Sequence, residues 1–172
     1  MKTFFREFLI TTILAVVIFL LLQASFQTFV IYMSSMEPNF QEGQRLVVNK
    51  AVYILGDPQR GDVVIFDAPG NRTGDYIKRA IALPGDTVEV KEGTVYINGS
   101  KADEPYVKDP PRYTLESQKI PANMYFVLGD NRNNSDDSHN DWLVPRQNII
   151  GKAWLSIWPV DEWGAVPAYS LP

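Results

Sequence analysis

The sequence predicts a mostly antiparallel β domain held to a membrane by one N-terminal helix, and two patterns carry that reading. From Phe8 to Met36 no side chain is charged, and residues 8–22 are almost wholly aliphatic or aromatic. A helix of that length crosses a bilayer core of ~30 Å. Beyond it the pattern changes to short runs of β-branched and aromatic residues separated by Gly, Pro, Asn and Asp, which marks antiparallel strands joined by turns. No later segment has an apolar period near that of a helix, so helices after the anchor are expected to be few and short.

In chain order, residues 1–7 form a flank expected in the cytoplasm. Lys2 and Arg6 precede the apolar run while Glu37 and Glu42 follow it, and an excess of Lys/Arg marks the inner side. Residues 8–32 are expected as the transmembrane anchor. A cleavable leader has a similar outline, but apolar character resumes at Phe26, Phe29, Val30 and Ile31, which favours a retained span. Residues 33–172 are expected as an extracytoplasmic β-rich domain, with about 87–112 as a small inserted sub-domain. Strands are expected at 45–48, at 63–66 after the turn 57–61, and at 76–83, closed by Pro84-Gly85-Asp86. Residues 94–97 run into Asn98-Gly99, the dipeptide best suited to the positive φ angles of a type I′ hairpin turn. A loop with Pro105, Pro110 and Pro111 follows, then strands at 124–128 and over 149–150 with 153–158. Arg60-Gly61-Asp62 reads as a tight turn feeding a buried strand rather than an adhesion motif.

The 172 residues carry a formal charge of −4 with no dense basic stretch, which excludes nucleic acid as the expected partner. There is no cysteine, so neither disulfides nor thiol chemistry are available. The Asp/Asn-rich tract 130–141 fails the calcium-loop template: Arg132 stands third, Ser135 sixth and Asp141 twelfth, where an acidic or amide residue, Gly and Glu are needed. No metal and no cofactor are expected.

Two side chains carry the candidate chemistry. Ser35 stands where the apolar run ends, and a serine hydroxyl needs a neighbour to take its proton before it is a useful nucleophile. Lys78 lies in an apolar strand, where alternation puts it on the face of Tyr76, Ala80 and Ala82. Burial there disfavours the ammonium form and lowers the pKa, so that the amine can act as a base. His139 is the one histidine. A Ser-His-Asp triad through it finds no G-x-S-x-G elbow around Ser35, because Met33 holds the first glycine's place, so His139 is expected as a surface residue of a polar loop.

Five stretches follow in order: the N-terminal anchor, Ser35-Met36-Glu37-Pro38, Arg60-Gly61-Asp62-Val63-Val64-Ile65-Phe66, Tyr76-Ile77-Lys78-Arg79 with Leu83-Pro84-Gly85-Asp86, and Gly129-Asp130-Asn131-Arg132 through Ser135, Asp137 and Ser138. In this order they resemble the type I signal peptidases, membrane-bound Ser/Lys proteases of the leader peptidase family that remove signal peptides from exported proteins. The resemblance implies that Ser35 attacks the scissile carbonyl and that Lys78 takes its proton. It implies that Ser135 hydrogen-bonds and orients the lysine amine, that Asp130 pairs with Arg79, and that Asp137 is a further support. Met36 and Pro38 belong to the nucleophile box. It also implies an extended preprotein segment with small residues first and third before the cut, a partnership with membrane lipid, and a cytoplasmic-membrane location.

The chain departs from the family pattern at Met33, where a side-chain donor or glycine is common, at Asn39 in place of threonine, and at His139, where an arginine paired with Asp137 is usual. Trp154, Trp158 and Trp163 near the C-terminus read either as sheet aromatics or as residues of the bilayer interface. A non-catalytic extracytoplasmic binding or scaffolding module, and a Ser/Lys protease with another substrate, stand as the alternative readings.

Overall fold

The structure, a computed structural model, describes residues 2–172; Met1 and the side chain of Lys2, both part of the flank 1–7, lie outside the described atoms. The first element, α1, runs Lys2–Ser25. Its 24 residues rise about 36 Å at ~1.5 Å each, and none of its membrane-length window is buried against the rest of the molecule. By length and composition this helix is long and apolar enough to cross a membrane.

The expected span 8–32 ends too late. Residues Phe26–Val30 form a strand, β1, paired antiparallel with β2, Arg45–Asn49, in the register Phe26↔Asn49 to Val30↔Arg45. Gln27 and Thr28 interrupt the apolar run there, and both are exposed. Phe29, Val30 and Ile31 therefore belong to the β domain and do not lengthen the helix. The helix is long enough without them.

The predicted fold class holds. Strands β3 (Val63–Asp67), β4 (Asp75–Ala82), β5 (Thr87–Lys91), β6 (Thr94–Ile97), β7 (Ser100–Lys101), β8 (Leu115–Lys119), β9 (Met124–Leu128), β10 (Val144–Pro145), β11 (Ile149–Trp158) and β12 (Gly164–Ala165) complete the molecule. Beyond α1, the helical segments among the described residues are three-residue 3₁₀ turns. The larger sheet runs β1-β2-β11-β3-β4-β9-β10 with β12 on β11, and a second sheet runs β7-β6-β5-β8. All the pairings are antiparallel. The turn between β6 and β7 is the expected one, with Asn98 at φ 51° and Gly99 at φ 78°.

The second sheet reaches residue 119, past the expected limit of 112, and shares its core with the larger sheet. Val88, Val90, Val95 and Ile97 pack with Ile81, Ala82, Phe126 and Leu128. A register shift between Ala80 and Ala82 in the β4–β9 ladder also alters one face assignment. Ala80 keeps to the cluster of Val64, Phe66 and Val127, while Ala82 turns with Ile81 into the cluster shared with the second sheet, as a bulge does when it re-aims a strand.

Candidate active site

Ser35 sits in the turn after β1. The turn is closed by Glu37 N–H donating to the Ser34 carbonyl (3.1 Å) and Phe40 N–H to the Met36 carbonyl (3.0 Å). Met36 and Phe40 are buried with Leu46, Val63 and Ile77, so the apolar members of this stretch nail the turn to the core while Pro38 stays exposed. The Ser35 carbonyl accepts from Asn131 N–H at 3.0 Å, and the Ser34 carbonyl from Asn131 Nδ2 at 3.1 Å. The Ser35 turn is thereby laced to the loop that follows β9. No acceptor among the described residues takes the Ser35 N–H.

Lys78 lies in the middle of β4, opposite Val64 of β3, and is 1% exposed. Its Nζ is 2.6 Å from Ser35 Oγ, across 43 positions of sequence. Burial lowers its pKa from an ordinary 10.5 to about 8, against the pull of the carboxylates Asp137, Asp136 and Asp130, which favour the charged form. Near-neutral titration is what a lysine needs to serve as a proton acceptor.

Its neighbour Arg79 points to the other face and is held there in a buried fork. Arg79 Nε and Nη2 donate to Asp130 Oδ1 and Oδ2 at 2.9 and 2.7 Å, and Nη1 to the Gly61 carbonyl at 2.9 Å. The pair's side chains are 1% and 0% exposed. The Tyr106 ring lies 4.0 Å from the guanidinium, and Asn39 Nδ2 donates to Asp130 Oδ2 at 2.9 Å and to the Tyr106 carbonyl at 2.7 Å. Asn39 thus ties the Ser35 turn to the same carboxylate that braces the strand of Lys78. Arg132, also buried, makes a second fork with Glu104 at 2.7 and 2.8 Å.

Asp137 is fully buried. It accepts from Gly129 N–H at 2.9 Å, and its other oxygen lies 2.6 Å from His139 Nδ1. His139 is thus no free surface residue: its ring stacks on Tyr113 at 4.1 Å and is partly buried. Ser138 Oγ accepts from Val127 N–H at 3.0 Å. These contacts shape the chain after β9 so that Gly129 passes between Ser135 and the Ser35 turn. A Cβ on Gly129 would lie 2.3 Å from Ser135 Oγ and 2.4 Å from the Ser35 carbonyl oxygen.

One expected contact is not made. Ser135 Oγ is buried but has no hydrogen-bond partner, so it does not hold the Lys78 amine in this state. Lys78 Nζ is turned to Ser35 instead. Ser34, Ser35, Lys78, Tyr76, Asn134, Ser135 and Asp136 all line one open cleft of about 640 Å³. A second hollow between β1 and residues 73–76 shares Tyr32, Met33 and Tyr76 with it. Asn39, Tyr106 and Asn131 also contact the Ser35 turn or the Arg79–Asp130 pair, and sequence reasoning gave them no role. Asn131 lay inside a quoted motif, whereas Tyr106, in a proline-bounded loop, carried no local signal.

A protein-family model described as signal peptidase, peptidase S26, matches residues 3–158. A probable signal peptidase I-2 of Synechocystis is 46% identical over 76% of this chain and 62% of its own length, so the chain spans somewhat under two thirds of that relative. Signal peptidase I of Leptolyngbya laminosa is 44% identical over 78% of this chain and 71% of its own. Signal peptidase IB of Staphylococcus aureus is 37% identical over 95% of this chain and 94% of its own. Among solved structures, a signal peptidase I from Enterococcus faecalis superposes with a TM-score of 0.51 at 34% identity, covering 56% of this chain and 97% of that one. The chain belongs to the signal peptidase family, peptidase S26.

Proposed function

We propose that the chain is a membrane-anchored endopeptidase that removes signal peptides from exported preproteins, with Ser35 as nucleophile and Lys78 as general base. The observation that carries this reading is the 2.6 Å approach of Nζ to Oγ inside a buried site. When the amine is neutral, the Ser35 hydroxyl donates to its lone pair and passes it the proton as Oγ attacks the scissile carbonyl. The oxyanion falls to the free Ser35 N–H. Lys78 then returns the proton to the departing amine, leaving an ester on Ser35, and repeats the cycle with water to release the signal peptide.

Asp130, Arg79 and Asp137 act on geometry: the first two brace β4, and Asp137 holds the chain beside Gly129. A buried hydroxyl without a partner costs ~1–3 kcal/mol, so the Ser135 position is maintained against a penalty. The role that fits is to receive the amine as Lys78 changes protonation state or substrate arrives. Ser34 Oγ accepts from Asn134 Nδ2 at 3.0 Å, which leaves its own proton free to serve as the second oxyanion donor that Met33 cannot supply.

The preprotein enters as an extended strand between β1 and residues 73–78, where backbone hydrogen bonds give affinity and alternate side chains enter the two adjoining hollows. Helix α1 spans the bilayer with the N-terminus in the cytoplasm and the β domain outside it. Trp154, Trp158 and Trp163 are exposed, and Trp154 stacks on Phe26 at the helix end, in keeping with an interfacial role. Incubating detergent-solubilised protein with a signal-bearing precursor tests the proposal. Wild type should cut, and Ser35→Ala and Lys78→Ala should both be inert; persistent cleavage by either variant removes that residue from the mechanism.

A further inference from the structure

Between β2 and β3 the chain makes a short projection whose construction the peptidase reaction does not use. Tyr53 is its root: the ring is buried and the hydroxyl donates to Asp62 Oδ2 at 2.8 Å. Arg146 clamps its backbone, with Nη2 donating to the Tyr53 and Gly56 carbonyls at 2.5 and 3.1 Å and Nε to Asp57 Oδ1 at 2.8 Å. The 3₁₀ turn Ala51–Tyr53 is closed by the Ile54 N–H to the Ala51 carbonyl at 3.1 Å.

What this frame presents outward is apolar. Val52, Ile54 and Leu55 are 39%, 76% and 92% exposed. Clustered aliphatic side chains held in water by a rigid support mark an interaction surface. The place of the projection identifies the partner: Lys50 N–H, at its base, donates to the carbonyl of Ser25, the last residue of α1, at 2.8 Å. The base of the projection therefore lies at the level where the apolar helix ends.

We propose that Val52, Ile54 and Leu55 form a finger that docks into the lipid surface beside α1, a second point of attachment that fixes the tilt of the β domain and the height of Ser35 above the bilayer. The proposal rests on the membrane-anchoring reading of α1. The helix end and the tryptophans beside it make one area of contact, and a finger on another loop adds a further point that defines an orientation. Aliphatic side chains enter the headgroup and acyl boundary readily, while Lys50 stays at the anionic surface.

The absence of cysteine allows single-cysteine labelling of the whole chain. Val17→Cys, Leu55→Cys and Glu116→Cys, each carrying a bimane probe, are reconstituted in phosphatidylethanolamine and phosphatidylglycerol vesicles with and without brominated lipid. The expected result is loss of emission from probes at 17 and 55 and none at 116. Quenching at 17 alone, with 55 as bright as 116, overturns the finger and leaves the anchor intact. No quenching at 17 overturns the anchoring reading itself. A blue-shifted but unquenched probe at 55 means that protein, such as a second copy, covers the tip, and also overturns the proposal.

Discussion

Replacing Lys78 by methionine should abolish cleavage and yet make the protein more stable, by an amount the structure sets. Lys78 is 1% exposed, and methionine fills nearly the same volume without a charge. Burial lowers the lysine pKa from 10.5 to about 8, and at ~1.4 kcal/mol per pH unit the folded state is penalised by about 3 kcal/mol. The sign follows from proton counting. Between pH 8 and 10.5 the unfolded chain holds a proton that the folded chain has released, so wild-type stability rises with pH across that window. Below pH 8 the penalty is felt in full, and above 10.5 it vanishes. Urea unfolding of the full chain in detergent micelles, followed by the fluorescence of its four tryptophans, at pH 6.5 and pH 10.5 is the assay. Lys78→Met should exceed wild type by about 3 kcal/mol at the lower pH and by little at the higher. A variant no more stable than wild type at pH 6.5, or an advantage unchanged at pH 10.5, refutes the reasoning that the site holds its amine against a desolvation cost.

Other expectations follow from the same geometry. Asp130→Ala leaves the buried Arg79 guanidinium without its fork and should cost ~3–5 kcal/mol in urea unfolding; a loss under 1 kcal/mol would mean that water reaches the pair. Ser135→Ala removes a hydroxyl that has no partner in the resting site, so it should leave stability unchanged or slightly raised while lowering kcat more than it changes KM. A large stability loss would show that the hydroxyl is already bonded. Gly61 has φ 86°, and a Cβ there would lie 1.9 Å from the Tyr169 carbonyl oxygen. Gly61→Ala should cost ~1 kcal/mol or more and expose the C-terminal tail to carboxypeptidase, and a tail as resistant as wild type's would contradict that contact.

The strands that alternation revealed are those with one wet face or a β-branched run. Arg45–Asn49, Val63–Asp67, Asp75–Ala82, Thr94–Ile97 and Met124–Leu128 all lie within a residue of expectation. Two misses have distinct physical causes. Strand β1 is contiguous with the apolar helix, so hydropathy merged them although Gln27 and Thr28 already signalled a change of environment. Strand β8, Leu-Glu-Ser-Gln-Lys, is mostly exposed and has neither β-branched nor aromatic residues, so only its pairing with β5 creates it. At the site, Ser35 and Lys78 each carry only a weak signal alone, and it is the resemblance of the five stretches to one family that pairs them; the structure places the two side chains together. The cradle around Arg79 was not legible: Tyr106 and Asn39 reach it from separate loops, and nothing local marks a ring destined to cover a guanidinium.

The central claim is that the amine beside Ser35 is uncharged when it acts. Selective ¹⁵N detection of Lys78 Nζ in the full chain, titrated alongside kcat/KM for a signal-bearing precursor, tests it directly. The account predicts that the amine loses its proton with a midpoint near 8 and that the rate rises with pH through the same midpoint, since only the neutral form accepts the hydroxyl proton. An amine that stays protonated up to the ordinary lysine range while the enzyme is already fully active contradicts it.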